Sequence, residues 1–277
     1  MTARIRVTSE PKGSNPGGEC LVFEDGIKPL RGYFKYCHSS RMPARSALSV
    51  KNQPFYEAMT LQLARELGLK TTDFYVLLNP QNDVFFEDWE GKINGSPLGR
   101  DCYFVSKLLT REPADTPKDS AEISRVLDLE RPYLEALHID DIINKRQNYL
   151  FGWTNENGEP KGWLRYIDLG CSFVRAVGGA ISLPKSLETI TPKEARRMVK
   201  HLKGVNIISA DNNEFRNLED VVNGIREMTI PTLNPFGRVP IKNHLSPAEI
   251  EEILGYVLQG FVKSINKFEE RGLIVMK

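Results

Sequence analysis

Asn148 and Asp168 are the residues whose types and spacing best suit metal and phosphate chemistry. The segments Asn148-Tyr149-Leu150-Phe151-Gly152-Trp153 and Trp163-Leu164-Arg165-Tyr166-Ile167-Asp168-Leu169-Gly170 both read as strands, rich in aromatic and apolar residues. Between them, Thr154 to Gly162 is polar and contains Asn157-Gly158, a hairpin-turn dipeptide. The pattern predicts one hairpin with that polar stretch as its turn. An Asn at the start of one strand and an Asp at the end of its partner then sit close together. Two oxygen ligands at the mouth of a hairpin suit a hard cation such as Mg²⁺, carried in with nucleotide phosphates. An ordinary hairpin with a turn Asn and a strand-end Asp would use the same residues, so the rest of the chain must bear on the choice.

Three further features point the same way. Lys35 lies inside the apolar stretch Gly32-Tyr33-Phe34-Lys35-Tyr36, where an ammonium needs a partner. Glu57 lies near the start of the next helical pattern, and a Glu there can reach a Lys on a strand packed beneath. Gly13, Ser14, Gly17 and Gly18 fall in a loop-like run between two strand patterns. Glycines let backbone N–H groups approach phosphate oxygens, although this run matches neither GxGxxG nor the P-loop pattern. Tyr103 to Leu109, containing Ser106 and Leu108, ends the strand-rich part and could offer backbone donors and acceptors to a purine. The basic stretch Arg196 to Lys203 reads as a solvated helix face rather than a nucleic-acid site.

The elements that must position these groups follow from periodicity and turn chemistry. Ala3 to Thr8 alternates, and Cys20 to Glu24, Gly32 to Tyr36, Asp73 to Leu78, Asp83 to Phe86 and Tyr103 to Val105 read as strands. Gln53 to Leu67 reads as a helix that Gly68 ends. Asp119 to about Ile143 is helical in pattern, with Pro132 expected to break it. Thr191-Pro192-Lys193-Glu194 and Ser246-Pro247-Ala248-Glu249 have the form of capped helix starts. The second opens a long helix whose stripe of Ile250, Ile253, Leu254, Val257, Leu258, Phe261 and Ile265 reads as core. The expected class is α+β: a two-lobed, protein-kinase-like fold with a strand-rich N-lobe over 1–110, holding one main helix, and a mostly helical C-lobe over 111–277.

Composition excludes little but consistently. The chain has 277 residues, 40% hydrophobic and 26% charged, with net charge +1. That balance argues neither for nucleic acid nor for a membrane. There is no apolar run near the ~20 residues a membrane span needs and no signal-peptide core, so a cytoplasmic location is expected. Cys20, Cys37, Cys102 and Cys171 form no CxxC pair, and they read as half-buried reduced thiols rather than zinc ligands.

The run Glu57-Ala58-Met59-Thr60-Leu61-Gln62-Leu63-Ala64-Arg65-Glu66-Leu67-Gly68-Leu69 resembles the Leu-Ala-basic-x-Leu-Gly-Leu helix of HipA-type kinases, the bacterial toxin kinases and their single-domain relatives. Gly32-Tyr33-Phe34-Lys35 resembles that family's strand ending in an ATP-binding Lys. Asn144-Lys145-Arg146-Gln147-Asn148 resembles its catalytic run in outline, and Ile167-Asp168-Leu169-Gly170 its metal motif. The resemblance implies ATP and Mg²⁺ as cofactors. It implies an ATP site built from Gly13, Ser14, Gly17, Gly18, Lys35, Glu57, Ser106 and Leu108, and metal contacts from Asn148 and Asp168. It implies transfer of the γ-phosphoryl group to a protein Ser or Thr hydroxyl, with Ser14 a candidate for autophosphorylation and a protein substrate or regulatory protein as partner. The chain looks like a stand-alone kinase unit without the toxins' extra N-terminal domain. One departure matters: kinases place a catalytic Asp five residues before the metal-binding Asn, and here that residue is Ile143. The nearest carboxylates are Asp140 and Asp141, with Asp141 the candidate base. A pseudokinase acting as an ATP-binding interaction module, or a small-molecule kinase, stays open.

Overall fold

The computed structural model describes residues 3–10, 16–26, 28–37, 46–109, 116–139, 142, 146–169, 175–177, 180–182, 191–211, 213–233 and 237–276. The N-terminal part contains β1 (Ala3–Val7), β2 (Gly17–Glu24), β3 (Leu30–Lys35), α1 (Gln53–Glu66), β4 (Phe74–Leu78), β5 (Val84–Glu87) and β6 (Cys102–Lys107). The six strands form one sheet in the order β4-β6-β3-β2-β1-β5. Neighbours are antiparallel except β1 and β5, which run parallel. β1 alternates as its sequence requires: Ala3, Ile5 and Val7 are buried, while Arg4 and Arg6 reach Glu87 across β5 at 3.2 and 2.9 Å. One sheet face packs Ile5, Val22, Phe34, Tyr36 and Tyr103 into a core of its own. The other face receives α1, and that core continues without a break into the helical part.

α1 is buried around nearly its whole circumference, as befits a helix trapped between a sheet and a second layer. It ends where Gly68 turns left-handed at φ +84° and the Leu69 N–H reaches back to the Ala64 carbonyl at 2.9 Å, a Schellman stop. A Cβ at Gly68 would sit 2.4 Å from Asp211 Oδ1, so packing and backbone conformation both require glycine.

The C-terminal part opens with α2 (Pro117–Ala136), capped by Thr116 and Asp119. The expected break at Pro132 does not occur, and the helix runs through it. Proline cannot donate to the carbonyl four residues back. That carbonyl, Asp128 O, instead accepts from the Arg271 guanidinium at 2.6 Å. The helix also ends earlier than Ile143.

The hairpin forms as expected from β7 (Tyr149–Glu156) and β8 (Glu159–Tyr166), but its turn is only Asn157-Gly158, both at positive φ. That is the two-residue turn whose twist matches the strands, so Thr154 to Glu156 and Glu159 to Gly162 are strand rather than loop. Gly152 leaves room for the Trp163 ring, which a Cβ would meet at 2.3 Å. α2 carries the hairpin along one side. Asp119 accepts from Trp153 Nε1 at 2.8 Å, Glu122 from the Gly162 N–H at 2.9 Å and Glu130 from the Tyr166 hydroxyl at 2.5 Å.

Then follow β9 (Arg175–Val177), β10 (Ala180–Ser182), α3 (Pro192–Leu202), β11 (Val205–Ile208), β12 (Phe215–Asn217), α4 (Leu218–Gly224), β13 (Thr229–Pro231), β14 (Arg238–Pro240), α5 (Pro247–Glu270) and β15 (Ile274–Met276). The capping boxes at Thr191 and Ser246 both form. The α5 stripe is core, with Ile253, Val257 and Phe261 fully buried. The small sheets β12-β11-β15, β9-β10 and β13-β14 go beyond what periodicity predicts. The α+β class expected from the sequence is the class the chain adopts. Among the described residues no helix is long and apolar enough to cross a membrane.

Candidate active site

β3 is an inner strand, paired with β2 on one side and β6 on the other, so its last residue, Lys35, is enclosed from both directions. Lys35 lies on the face that receives α1, beside Phe104 of β6, whose ring is 5.8 Å from Nζ. The ammonium meets two carboxylates. Glu57 Oε1, from the second turn of α1, is 2.5 Å away, and Asp168 Oδ1, just past β8, is 2.8 Å away. Lys35 and Glu57 are nearly sealed, whereas the Asp168 side chain is 34% exposed, so the cluster opens on the Asp168 side.

The electrostatics follow from that burial. Desolvation works against the Lys35 charge, but Asp168 and then Glu57 outweigh it and hold the amine well above its ordinary value. Glu57 is pushed up to about 6, first by burial and further by the neighbouring Asp168 charge, against the pull of Lys35. Lys35 is therefore a fixed cation at neutral pH, and Glu57 holds a proton more readily than an ordinary carboxyl does.

Asp168 is brought there by the hairpin. Tyr166 N–H bonds to Lys70 O at 2.8 Å and Thr72 N–H to Tyr166 O at 2.9 Å, joining the end of β8 to the segment after α1. Burial first of all pushes Glu130, the acceptor of the Tyr166 hydroxyl, up to about 7. Asn148 ends a short 3₁₀ turn before β7, and its carbonyl accepts from Ile167 N at 3.0 Å and Asp168 N at 3.4 Å. Asn148 and Asp168 are thus adjacent, as the sequence pattern requires. Their oxygens are the hard donors Mg²⁺ takes, with phosphate and water able to complete its shell. Among the described residues no cluster of three His, Cys, Asp or Glu could hold a metal ion.

The remaining expected site residues divide. Gly17 and Gly18 belong to β2 rather than to a loop, and Gly17 pairs directly with Lys35. A Cβ at Gly17 would fall 2.0 Å from Phe34 O, so this glycine serves close strand approach. The chain between β1 and β2 accordingly re-enters the sheet beside Lys35. The sequence places Ser106 and Leu108 on a connector offering free backbone groups. Ser106 instead lies inside β6, paired on both sides, and the Leu108 N–H donates to Arg31 O at 3.0 Å. The sheet needs these backbone groups because an inner strand must satisfy both of its edges. Gly13, Ser14, Asp140, Asp141, Ile143, Asn144, Gly170 and Cys171 lie outside the described residues. Cys20, Cys37 and Cys102 are buried rather than half-buried. Burial pushes Cys20 and Cys102 up to about 12. Lys193, Arg196, Arg197 and Lys200 line a shallow surface depression along α3 and share no residue with the Lys35 cluster.

No protein-family model matches the sequence, and no curated protein matches it. Among solved structures the chain is similar to that of CtkA, a proinflammatory kinase of Helicobacter pylori. The identity is 10% and the TM-score 0.37, over 96% of this chain and 99% of that one. It is also similar to the Rio2 kinase–ADP/Mg²⁺–phosphoaspartate complex from Chaetomium thermophilum, at 11% identity and a TM-score of 0.32, over 96% of this chain and 72% of that one. Both neighbours are kinases; likeness this faint assigns no residue and no activity to the present chain.

Proposed function

We propose that this chain is a HipA-like, ATP-dependent kinase that transfers the γ-phosphoryl group of Mg·ATP to a Ser or Thr hydroxyl of a protein. Its N-lobe would cover 1–110 and its C-lobe 111–277. The observation that carries this reading is the Lys35 ammonium fixed between Glu57 and Asp168, one residue each from strand, helix and hairpin end. Kinases use a strand Lys paired to a helix Glu to hold phosphates, and an Asp after a hairpin to hold metal.

In this reading Lys35 presents a positioned charge to the phosphate oxygens, and Glu57 prevents it from collapsing into the sheet. Gly13, Ser14, Gly17 and Gly18 are the proposed phosphate cradle, a reading supported by the pairing of Gly17 with Lys35. Asn148 and Asp168 would hold Mg²⁺, which when bound offsets phosphate charge. Asp141 is the proposed base. A loose transition state relies mainly on alignment and charge, so a displaced base lowers the rate without changing the class. A second reading, an ATP-binding module without transfer, is favoured by Ile143 at the position five before Asn148.

Incubation with γ-labelled ATP and Mg²⁺, wild type beside Asp168→Ala, separates them. Label on protein or ATP turnover that Asp168→Ala abolishes is the expected result. ATP-dependent thermal stabilisation without turnover, lost in Asp168→Ala, establishes the binding module. Absence of both overturns the nucleotide reading.

A further inference from the structure

α1 reaches Lys35 from above the sheet, but its N-terminal end is held from elsewhere. Asn52 occupies the cap position of α1 without capping it. Its Nδ2 donates instead to Glu249 Oε1 of α5 at 2.7 Å. The same oxygen accepts from the Tyr56 hydroxyl at 2.6 Å, and Tyr56 directly precedes Glu57. The second carboxylate oxygen accepts from Ser246 N–H at 2.8 Å, closing the capping box of α5. Glu249 is 5% exposed, and the Asn52 amide, the Tyr56 hydroxyl and the Ser246 N–H are all neutral donors. One turn further along α5, Glu252 accepts from Ser46 Oγ at 2.7 Å and from Ala47 N–H at 2.5 Å. His244 stacks on Phe55 with ring centres 5.0 Å apart. Residues 46–56 are thus gripped by the segment 244–252 from the far end of the sequence.

We infer that Glu249 is a positioning residue for the Lys35 site: through Asn52 and Tyr56 it fixes the rotation and height of α1, and so keeps Glu57 on Lys35. Successive helix residues point about 100° apart, so Tyr56 can face α5 while Glu57 faces β3, and a shift at one moves the other. A buried carboxylate satisfied by directional hydrogen bonds tolerates little displacement, which makes it a better register pin than apolar contact alone. The catalytic consequence rests on the kinase reading above; the geometric consequence does not.

The test uses Tyr56→Phe, which keeps the ring but removes the donor to Glu249 and the acceptor of the Ser49 N–H at 2.8 Å, together with Glu249→Gln. Lys35 accessibility is read by acylation with a succinimidyl ester and mass spectrometry, with exposed Lys107 as internal control. Phosphoryl transfer is measured at saturating ATP at a temperature where circular dichroism shows each variant folded. Loss of a charge-assisted bond predicts Lys35 acylation faster by about tenfold and kcat lower by about tenfold, with Lys107 unchanged. Unchanged Lys35 acylation in both folded variants overturns the inference, even if both melt earlier, since a merely structural bond would lower Tm alone. If the wild type transfers no phosphate, the kinase reading fails, and acylation alone still decides the role of Glu249.

Discussion

Glu57→Gln should stabilise the protein while impairing it. Gln has the shape of a protonated Glu and keeps an oxygen for the Lys35 ammonium. In the folded chain Glu57 titrates at about 6, against an ordinary 4.5, chiefly because it is buried. Between those two values the folded state holds a proton that the unfolded state has lost, so stability falls as pH rises through the window and stays lower above it. At ~1.4 kcal/mol per tenfold, the rise corresponds to about 2 kcal/mol of destabilisation at pH 7. The neutral amide does not carry this penalty. For a chain of this size, ~2 kcal/mol is roughly 4–8 °C in Tm. Lys35 titrates well above this range and contributes no slope there. The assay is thermal unfolding of both proteins from pH 4 to 8. The variant should melt higher at pH 7, and the two curves should converge below about pH 4.5. Phosphoryl transfer by the variant should meanwhile fall by about tenfold, since a neutral partner holds the ammonium less firmly. A variant that melts lower than wild type at pH 7, or a difference independent of pH, would refute the reasoning and make the Lys35–Glu57 pair net stabilising.

Lys35→Met leaves Glu57 buried without its cation and should cost about 3–5 kcal/mol in urea unfolding at pH 7; adding Glu57→Gln should recover most of that loss. Gly17→Ala drives a Cβ against Phe34 O and should destabilise by more than ~1 kcal/mol. It should also speed hydrogen exchange at the Tyr36 N–H, which bonds Pro16 O at 3.2 Å beside the same pairing. Arg271→Ala removes the donor serving the carbonyl that Pro132 cannot reach and should cost ~0.5–1.5 kcal/mol. Pro132→Ala, which restores the missing helix N–H, should make the Arg271 substitution nearly silent in the same denaturation assay.

What can be read from residues alone is what is local. The alternation in β1, the Schellman stop at Gly68, the two capping boxes and the Asn157-Gly158 turn are each decided within a few positions. Lys35, Glu57, Asn148 and Asp168 stand out because their chemistry contradicts their surroundings or their spacing fits a hairpin mouth. The expected break at Pro132 fails because its remedy, Arg271, comes from far along the chain. Ser106 and Leu108 read as a connector because nothing in their own sequence reveals that β3 and β4 flank β6. Glu249 reads only as a capping residue; that its carboxylate also serves Asn52 and Tyr56 depends on α5 crossing the start of α1, which no periodicity encodes.

The sequence separation of the three charged residues also sets a timetable. Lys35 is followed 22 positions later by Glu57, but Asp168 lies 133 positions on (168 − 35). At ~5–20 residues per second of synthesis, the second carboxylate emerges on the order of ten seconds after the lysine. Until then β3 can acquire β2 quickly, but it must wait for residues 102–107 to cover its other edge, and its terminal ammonium has one counter-charge rather than two. A ribosome-bound chain therefore passes through a stage in which Lys35 and Glu57 have been made and Asp168 has not. The Lys35–Asp168 contact therefore cannot precede the synthesis of the hairpin that carries Asp168.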